Sequence, residues 1–226
     1  RARVAVDRRP PEEKASPLAW ESVARQAREA QAAGTWPLAD ALCESPQVPW
    51  LDEAAALARA SFTPGRPWVE SLRDMARAIH RDFDFDPTAT LVDSPPIEAF
   101  RKRGGVCQDF AQIMIGGLRA AGLPAAYASG YLRTLPPPGK PRLVGADASH
   151  AWLAVYGGAG TWIDLDPTNG HFPSTDHVTL AWGRDYSDVA PVKGVYIGGG
   201  SPQLQVSVDV CPTDELPPDP ASSKSP

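Results

Sequence analysis

Cys107 follows two glycines and a valine in GGVCQDF (104–110), at the head of an apolar-patterned stretch. The glycine pair lets the backbone turn sharply and leaves the free N–H groups of a following helix facing the sulfur. A helix N-terminus behaves as about half a positive charge, which favours a thiolate, and its N–H groups suit the oxyanion of a tetrahedral acyl intermediate. Taken singly, the same residue reads more readily as a small apolar side chain opening a core helix. Nucleophilic chemistry requires a base and an orienting carboxylate from elsewhere in the chain.

Among His80, His150, His171 and His177, only His150 stands out, because it opens the alternating segment HAWLAVY, in which His150, Trp152, Ala154 and Tyr156 share a face. A neutral imidazole beside a thiol accepts its proton and produces a thiolate–imidazolium pair. The third partner should be a carboxylate on the other ring nitrogen. Gly157, Gly158 and Gly160 form a tight connection, so TWIDLD returns antiparallel beside HAWLAVY. Pairing Tyr156 with Thr161 puts Asp166 nearly opposite Ala151 and Asp164 near Leu153, which favours Asp166, and Pro167 keeps Asp166 extended. His80 lies beside a helical stripe at a surface or boundary position, while His171 and His177 read as surface or turn residues.

Helices must hold the thiol and strands the other two groups. Helical spacing is expected from Pro17 to Gly34, over 51–60, over WVESLRDMARAIHRDF (68–83), in a short segment ending at the two glycines, and from Cys107 until Gly122 and Pro124 close the run. After Pro124 the segments AAYASGYL, HAWLAVY, TWIDLD, HVTLAW, VAPVKGVYIG and QLQVSVDV are short, partly alternating and divided by turn residues. Helices followed by a run of strands predict an α+β domain over 14–211, with N-terminal helices packed on an antiparallel sheet. Residues 1–13 read as the remnant strand or linker of something truncated, so an upstream segment is expected. Residues 212–226 read as a disordered, proline-rich tail.

The 226 residues are 42% hydrophobic, enough for a sizeable core. A net charge of −5 with scattered arginines offers nucleic acid no basic footprint, and no apolar run reaches the roughly 18 residues of a membrane span. Three widely spaced cysteines form neither a disulfide framework nor a zinc motif, so a reducing, cytoplasmic setting is expected. The histidines lack HxxxH or HExxH spacing, there is no GxGxxG loop and no DxDxDG calcium loop, and neither metal nor cofactor is expected.

GGVCQDFAQIMIGGLRAAGLPAAYASGYL followed by DASHAWLAVYGGAGTWIDLDPTNG resembles the bacterial transglutaminase-like superfamily, whose core is a circularly related version of the papain-like cysteine peptidase fold. The resemblance runs over about residues 60–210 and matches the order Cys, His, Asp, implying Cys107, His150 and Asp166 as the triad, and it implies an N-terminal β domain of which residues 1–13 are the remnant strand or linker. It implies acyl transfer at the amide bond of a peptide or protein: hydrolysis through a thioester, or interception of that thioester by an amine as in a protein-glutamine transglutaminase. A non-catalytic interaction module on the same fold is the competing class. Gln108 reads equally as oxyanion donor or helix opener, and Asp109 as a first-turn acid. Trp152 and Trp162 read as acyl-site walls or core. Tyr131, Arg184, Asp185 and Tyr186 read as cleft lining or as a structural hydrogen-bond network.

Overall fold

The sequence CQDFAQIMIGGLRA carries apolar or small side chains on every side, and it becomes helix α5 (Cys107–Ala120), buried from Gln108 through Arg119. A helix apolar all round belongs at the centre of a domain. The computed structural model, which describes residues 3–7, 17–34, 38–134, 149–191, 194, 197–198 and 206–215, surrounds α5 accordingly. Helices α1 (Trp20–Ala32), α2 (Asp52–Ser61) and α3 (Trp68–Asp82) precede it. The α3 stripe of Trp68, Leu72, Met75, Ala76 and Ile79 is buried as its spacing predicts, and each fully buried Leu or Ile contributes about 1.5–3 kcal/mol. Gly117 lets α2 approach α5 closely: a Cβ there would lie 2.6 Å from the Ala54 carbonyl oxygen and 2.6 Å from Met75 Cε.

A short helix, α4 (Pro96–Lys102), ends in Arg103, whose φ of 51° is left-handed. The reversal before α5 therefore falls on Arg103 and not on the glycines. Gly104–Gly105 instead form strand β2, parallel to β1 (Asp84–Phe85). Glycine is required at 105 by space, because a Cβ there would come 2.5 Å from Asp109 Oδ2.

The second half is an antiparallel sheet of β3 (Ala125–Leu132), β4 (Ser149–Gly158), β5 (Thr161–Leu165) and β6 (His177–Gly183), in the order β5-β4-β3-β6. Helices packed on an antiparallel sheet are the expected α+β arrangement. Alternation divides β4: Ala151, Leu153 and Val155 join the main core with α5, whereas Tyr156 packs with Ala27 and Leu38.

The β4–β5 register differs from the expected one by a residue. Gly158, Ala159 and Gly160 all take left-handed φ values, 88°, 48° and 77°, and a register shift falls between Tyr156 and Gly158. Tyr156 consequently pairs with Trp162 and Asp164 with Ala154. Continuing that register places Asp166 opposite Trp152, not Ala151. Because opposed residues share a face, this is what puts Asp166 on the same face as His150; the unshifted register would have separated them.

Several expected strands are absent among the described residues. Residues 3–7 form none, and Val4 and Val6 are exposed; the rest of 1–13 lies outside the described residues. The start of VAPVKGVYIG ends helix α6 (Tyr186–Val189), and its other described residues form no strand. Within QLQVSVDV, residues 206–210 form nothing beyond a single bridge at Val208, and 203–205 lie outside the described residues. Thr213–Glu215 form a 3-10 turn, while 216–226 lie outside. No helix among the described residues is long and apolar enough to cross a membrane.

Candidate active site

Val106 is extended (φ −116°, ψ 177°), and the helix begins at the next residue, so Cys107 occupies the first position of α5. Asp109 closes this end: its Oδ2 accepts the Val106 N–H at 2.8 Å and the Thr90 hydroxyl at 2.6 Å. Asp109 is buried, and that burial raises its carboxyl above the usual range against the opposing bonds from Thr90 and Val106. Cys107 itself is only partly buried, as a thiol that must meet a substrate should be.

His150 enters from the start of β4. Its Nε2 lies 2.8 Å from Asp166 Oδ2, and the Cys107 thiol is near enough to the ring to help raise its basicity, which leaves Nδ1 as the nitrogen available to sulfur. Burial disfavours the charged ring. Hydrogen bonds to Asp166 and Cys107, and the charges of both, outweigh burial and lift His150 from its ordinary 6.5 to about 9.

Asp166 is fully buried just beyond β5, and its main chain bridges to His171. Its Oδ1 accepts the Thr168 N–H at 2.9 Å and the Asn169 N–H at 3.2 Å, an Asx-type turn that fixes the carboxylate to its own loop. Its Oδ2 receives Asn169 Nδ2 at 2.6 Å and His177 Nε2 at 3.0 Å besides His150. Burial pushes this carboxyl upward, but the bonds from His150 and His177, the attraction of His150 and the bond from Asn169 hold it well below the usual carboxylate range.

His177 is thus not a surface or turn residue but a buried one at the start of β6, 1% exposed. The signal was present: it opens HVTLAW much as His150 opens HAWLAVY. His171 and His80 are exposed, as expected.

His150, Asp166 and His177 bring potential metal-ligand atoms within 4.8 Å of one another. The donor set nonetheless fits protons better than a cation. Ser174 N–H donates to His177 Nδ1 at 3.3 Å, and a neutral imidazole with its lone pair used there carries its proton on Nε2, aimed at Asp166.

The remaining predicted positions scatter. Trp152 has no exposed surface; its ring stands edge-on to His177 (centroids 5.3 Å, 88°) and tilted against His150 (5.9 Å). It supports the histidines from within the sheet. Gly130, opposite His150, makes room for it: a Cβ there would lie 2.6 Å from Trp152 Cη2 and collide with the Val178 carbonyl. Gln108 donates its amide to the Val92 carbonyl at 2.8 Å, so its side chain anchors the loop beside α5. Gln112 and Gln47 extend that anchor at 3.0 Å, which spacing alone did not suggest. Tyr131 pairs with Ser149, so alternation sends it to the opposite side of the sheet from His150. Asp185 caps α6 through Ser187 and accepts the Gln47 N–H, and Arg184 pairs with Asp188; for these two the hydrogen-bond network is what the structure contains.

Comparison with known proteins places this geometry in context. The family model described as the transglutaminase-like superfamily matches residues 55–167, a span holding Cys107, His150 and Asp166. An uncharacterized protein of Mycobacterium tuberculosis strain H37Rv is 45% identical over 166 residues, covering 71% of this chain and 53% of its own length. The chain spans about half the length of the mycobacterial relatives it matches. A protein-glutamine gamma-glutamyltransferase of Pseudomonas aeruginosa is 35% identical over 123 residues, 46% of this chain and 18% of that protein. Among solved structures, a candidate cysteine protease from Cytophaga hutchinsonii superimposes with a TM-score of 0.55 at 28% identity, over 66% of this chain and 48% of that one.

Proposed function

The chain belongs to the transglutaminase-like superfamily, and from that premise we propose that it is a thiol-dependent acyl-transfer enzyme, a cysteine peptidase or amidase with Cys107, His150 and Asp166 as its triad. The observation that carries this reading is one buried imidazole whose Nε2 is 2.8 Å from a carboxylate and whose basicity is raised by that carboxylate and by a nearby thiol at the first turn of a helix. In this reading His150 Nδ1 takes the Cys107 proton, and the sulfur attacks the amide carbonyl carbon. The oxyanion is stabilised by N–H groups at the start of α5. Collapse breaks the C–N bond, His150 delivers its proton to the departing amine, and a thioester remains on Cys107. Water, deprotonated by His150, then attacks the thioester, releasing the acid and restoring the thiol. Asp166 keeps the ring in its Nε2–H tautomer and balances the imidazolium.

A second reading has a primary amine in place of water. It is favoured by the Pseudomonas relative, whose name specifies gamma-glutamyl transfer. A generic acyl donor such as p-nitrophenyl acetate separates the two. We expect an acetyl-thioester on Cys107 by mass spectrometry, absent in Cys107→Ala, that decays to acetate in water. Capture mainly by a labelled primary amine at low amine concentration favours transfer instead. A wild-type protein that never acylates at Cys107 contradicts both and leaves the non-catalytic module.

A further inference from the structure

Asp166 is shared by two histidines, and acyl transfer as derived above uses one of them. We propose that His177 is a positioning residue that locks the Asp166 carboxylate, through an Nε2–H donated to the same oxygen that receives His150; the proposal rests on the acyl-transfer reading of Cys107 and His150.

The geometry defines the direction of each bond. The Ser174 backbone N–H can only donate, so His177 Nδ1 is the acceptor and the proton of the neutral ring sits on Nε2, 3.0 Å from Asp166 Oδ2. His150 donates to that same oxygen from 2.8 Å on the far side, and Asn169 Nδ2 adds a third donor at 2.6 Å. Three donors on one carboxylate oxygen lower its basicity, so the shared proton stays on His150, and the carboxylate cannot rotate without breaking contacts to two strands, since His150 belongs to β4 and His177 to β6. These strands are not neighbours: β3 runs between them, and its Gly130 leaves room for Trp152, whose ring packs against both histidine rings, themselves 5.8 Å apart. The groups facing the pair are therefore Cys107 from α5, Thr168 and Asn169 from the loop after β5, Trp152 from β4, and His171, whose ring centroid is 6.0 Å from that of His177. The superfamily match ends at residue 167, so His177 lies outside the span that the family model covers.

The consequence reaches sulfur through two bonds. If Asp166 swings or loses its ionised form, His150 holds its proton less firmly and the thiolate is lost. The test measures Cys107 alkylation by iodoacetamide against pH, read by mass spectrometry of the Cys107 peptide, in wild type, His177→Leu and His177→Gln. Leucine removes the donor at similar volume; glutamine places an amide N–H where the ring Nε2 stood. The proposal expects His177→Leu to alkylate about tenfold or more slowly at pH 6, with its profile displaced to higher pH, and His177→Gln to recover most of the wild-type profile. A His177→Leu profile that superimposes on wild type overturns it while leaving the triad intact. A wild-type Cys107 with no advantage over Cys43 overturns the triad reading and this one together. If His177→Leu does not fold, nitrogen-15 NMR of the wild-type histidines decides: a neutral His177 protonated at Nε2 supports the lock, and an imidazolium or an Nδ1–H tautomer refutes it.

Discussion

The His150 imidazole has its charged form stabilised from both sides and opposed by burial, and the balance has a sign that stability measurements can read. Its folded value of about 9 lies above its ordinary 6.5, so its contribution to stability is complete below about pH 6.5 and is lost as pH rises towards 9. Asp166 is shifted the other way, so its contribution is present above the ordinary 3.8 and is lost as pH falls through the acid range. Melting temperature is therefore expected to decline between pH 6.5 and 9, and the decline should shrink in His150→Ala, which has no proton to lose there. Equal declines in the two proteins would mean that His150 is not held charged by its neighbours. Asn169 offers a second check: its side chain donates to Asp166 at 2.6 Å, and Asn169→Ala should slow Cys107 alkylation at pH 6 by less than His177→Leu does, because the Thr168 and Asn169 backbone N–H groups remain.

Two close approaches between elements place these residues, and each depends on a missing Cβ. Gly117→Ala forces α2 and α5 apart at the Ala54 carbonyl and should cost about 1–3 kcal/mol in denaturant unfolding. Gly130→Ala strikes the Val178 backbone as well as Trp152, and is expected to damage the β3–β6 pairing and Cys107 reactivity together. A Gly130→Ala protein with wild-type stability and reactivity would show that β3 and β6 are less tightly joined than described. At this scale the sequence was legible wherever periodicity was strong: the α3 stripe and the apolar set of α5 follow from spacing, and Cys107 at a helix start with His150 at a strand start follow from where each pattern begins. The β4–β5 register was not legible, because Ala159 takes a left-handed φ that no non-glycine residue advertises, and the resulting shift moves Asp166 by one position. Asp166 does meet His150, although the register expected from the sequence would have faced it away. His177 was overlooked because its partner is a carboxylate already assigned to another histidine, a relation that only the fold brings about. Of the strands expected from VAPVKGVYIG and QLQVSVDV, the described residues hold only the last residue of α6, Val189, and a single bridge at Val208.

Across the whole molecule, one buried arginine joins segments that no local pattern connects. Arg119, 3% exposed near the end of α5, donates to the carbonyls of Ala41, Cys43, Ala125 and Arg184 and to the Ser45 hydroxyl, at 2.7–3.2 Å. Burial lowers its guanidinium to about 10, against the favourable charge of Asp185, so it remains charged at neutral pH. Arg119→Met leaves those acceptors unpaired in the interior and should destabilise the fold by about 3–5 kcal/mol, whereas a loss below about 1 kcal/mol would assign the joint to the surrounding packing. Holding α5 against the sheet in this way is what allows a thiol from the helical half and an imidazole from the strand half to meet. The most direct measurement of that meeting is the rate at which iodoacetamide modifies Cys107, relative to Cys43 and Cys211 in the same folded protein, at pH 6. Cys107 is expected to react fastest, with a lead that His150→Ala abolishes; three cysteines reacting alike in the wild type, or a lead that survives His150→Ala, would show that thiol and imidazole do not act together.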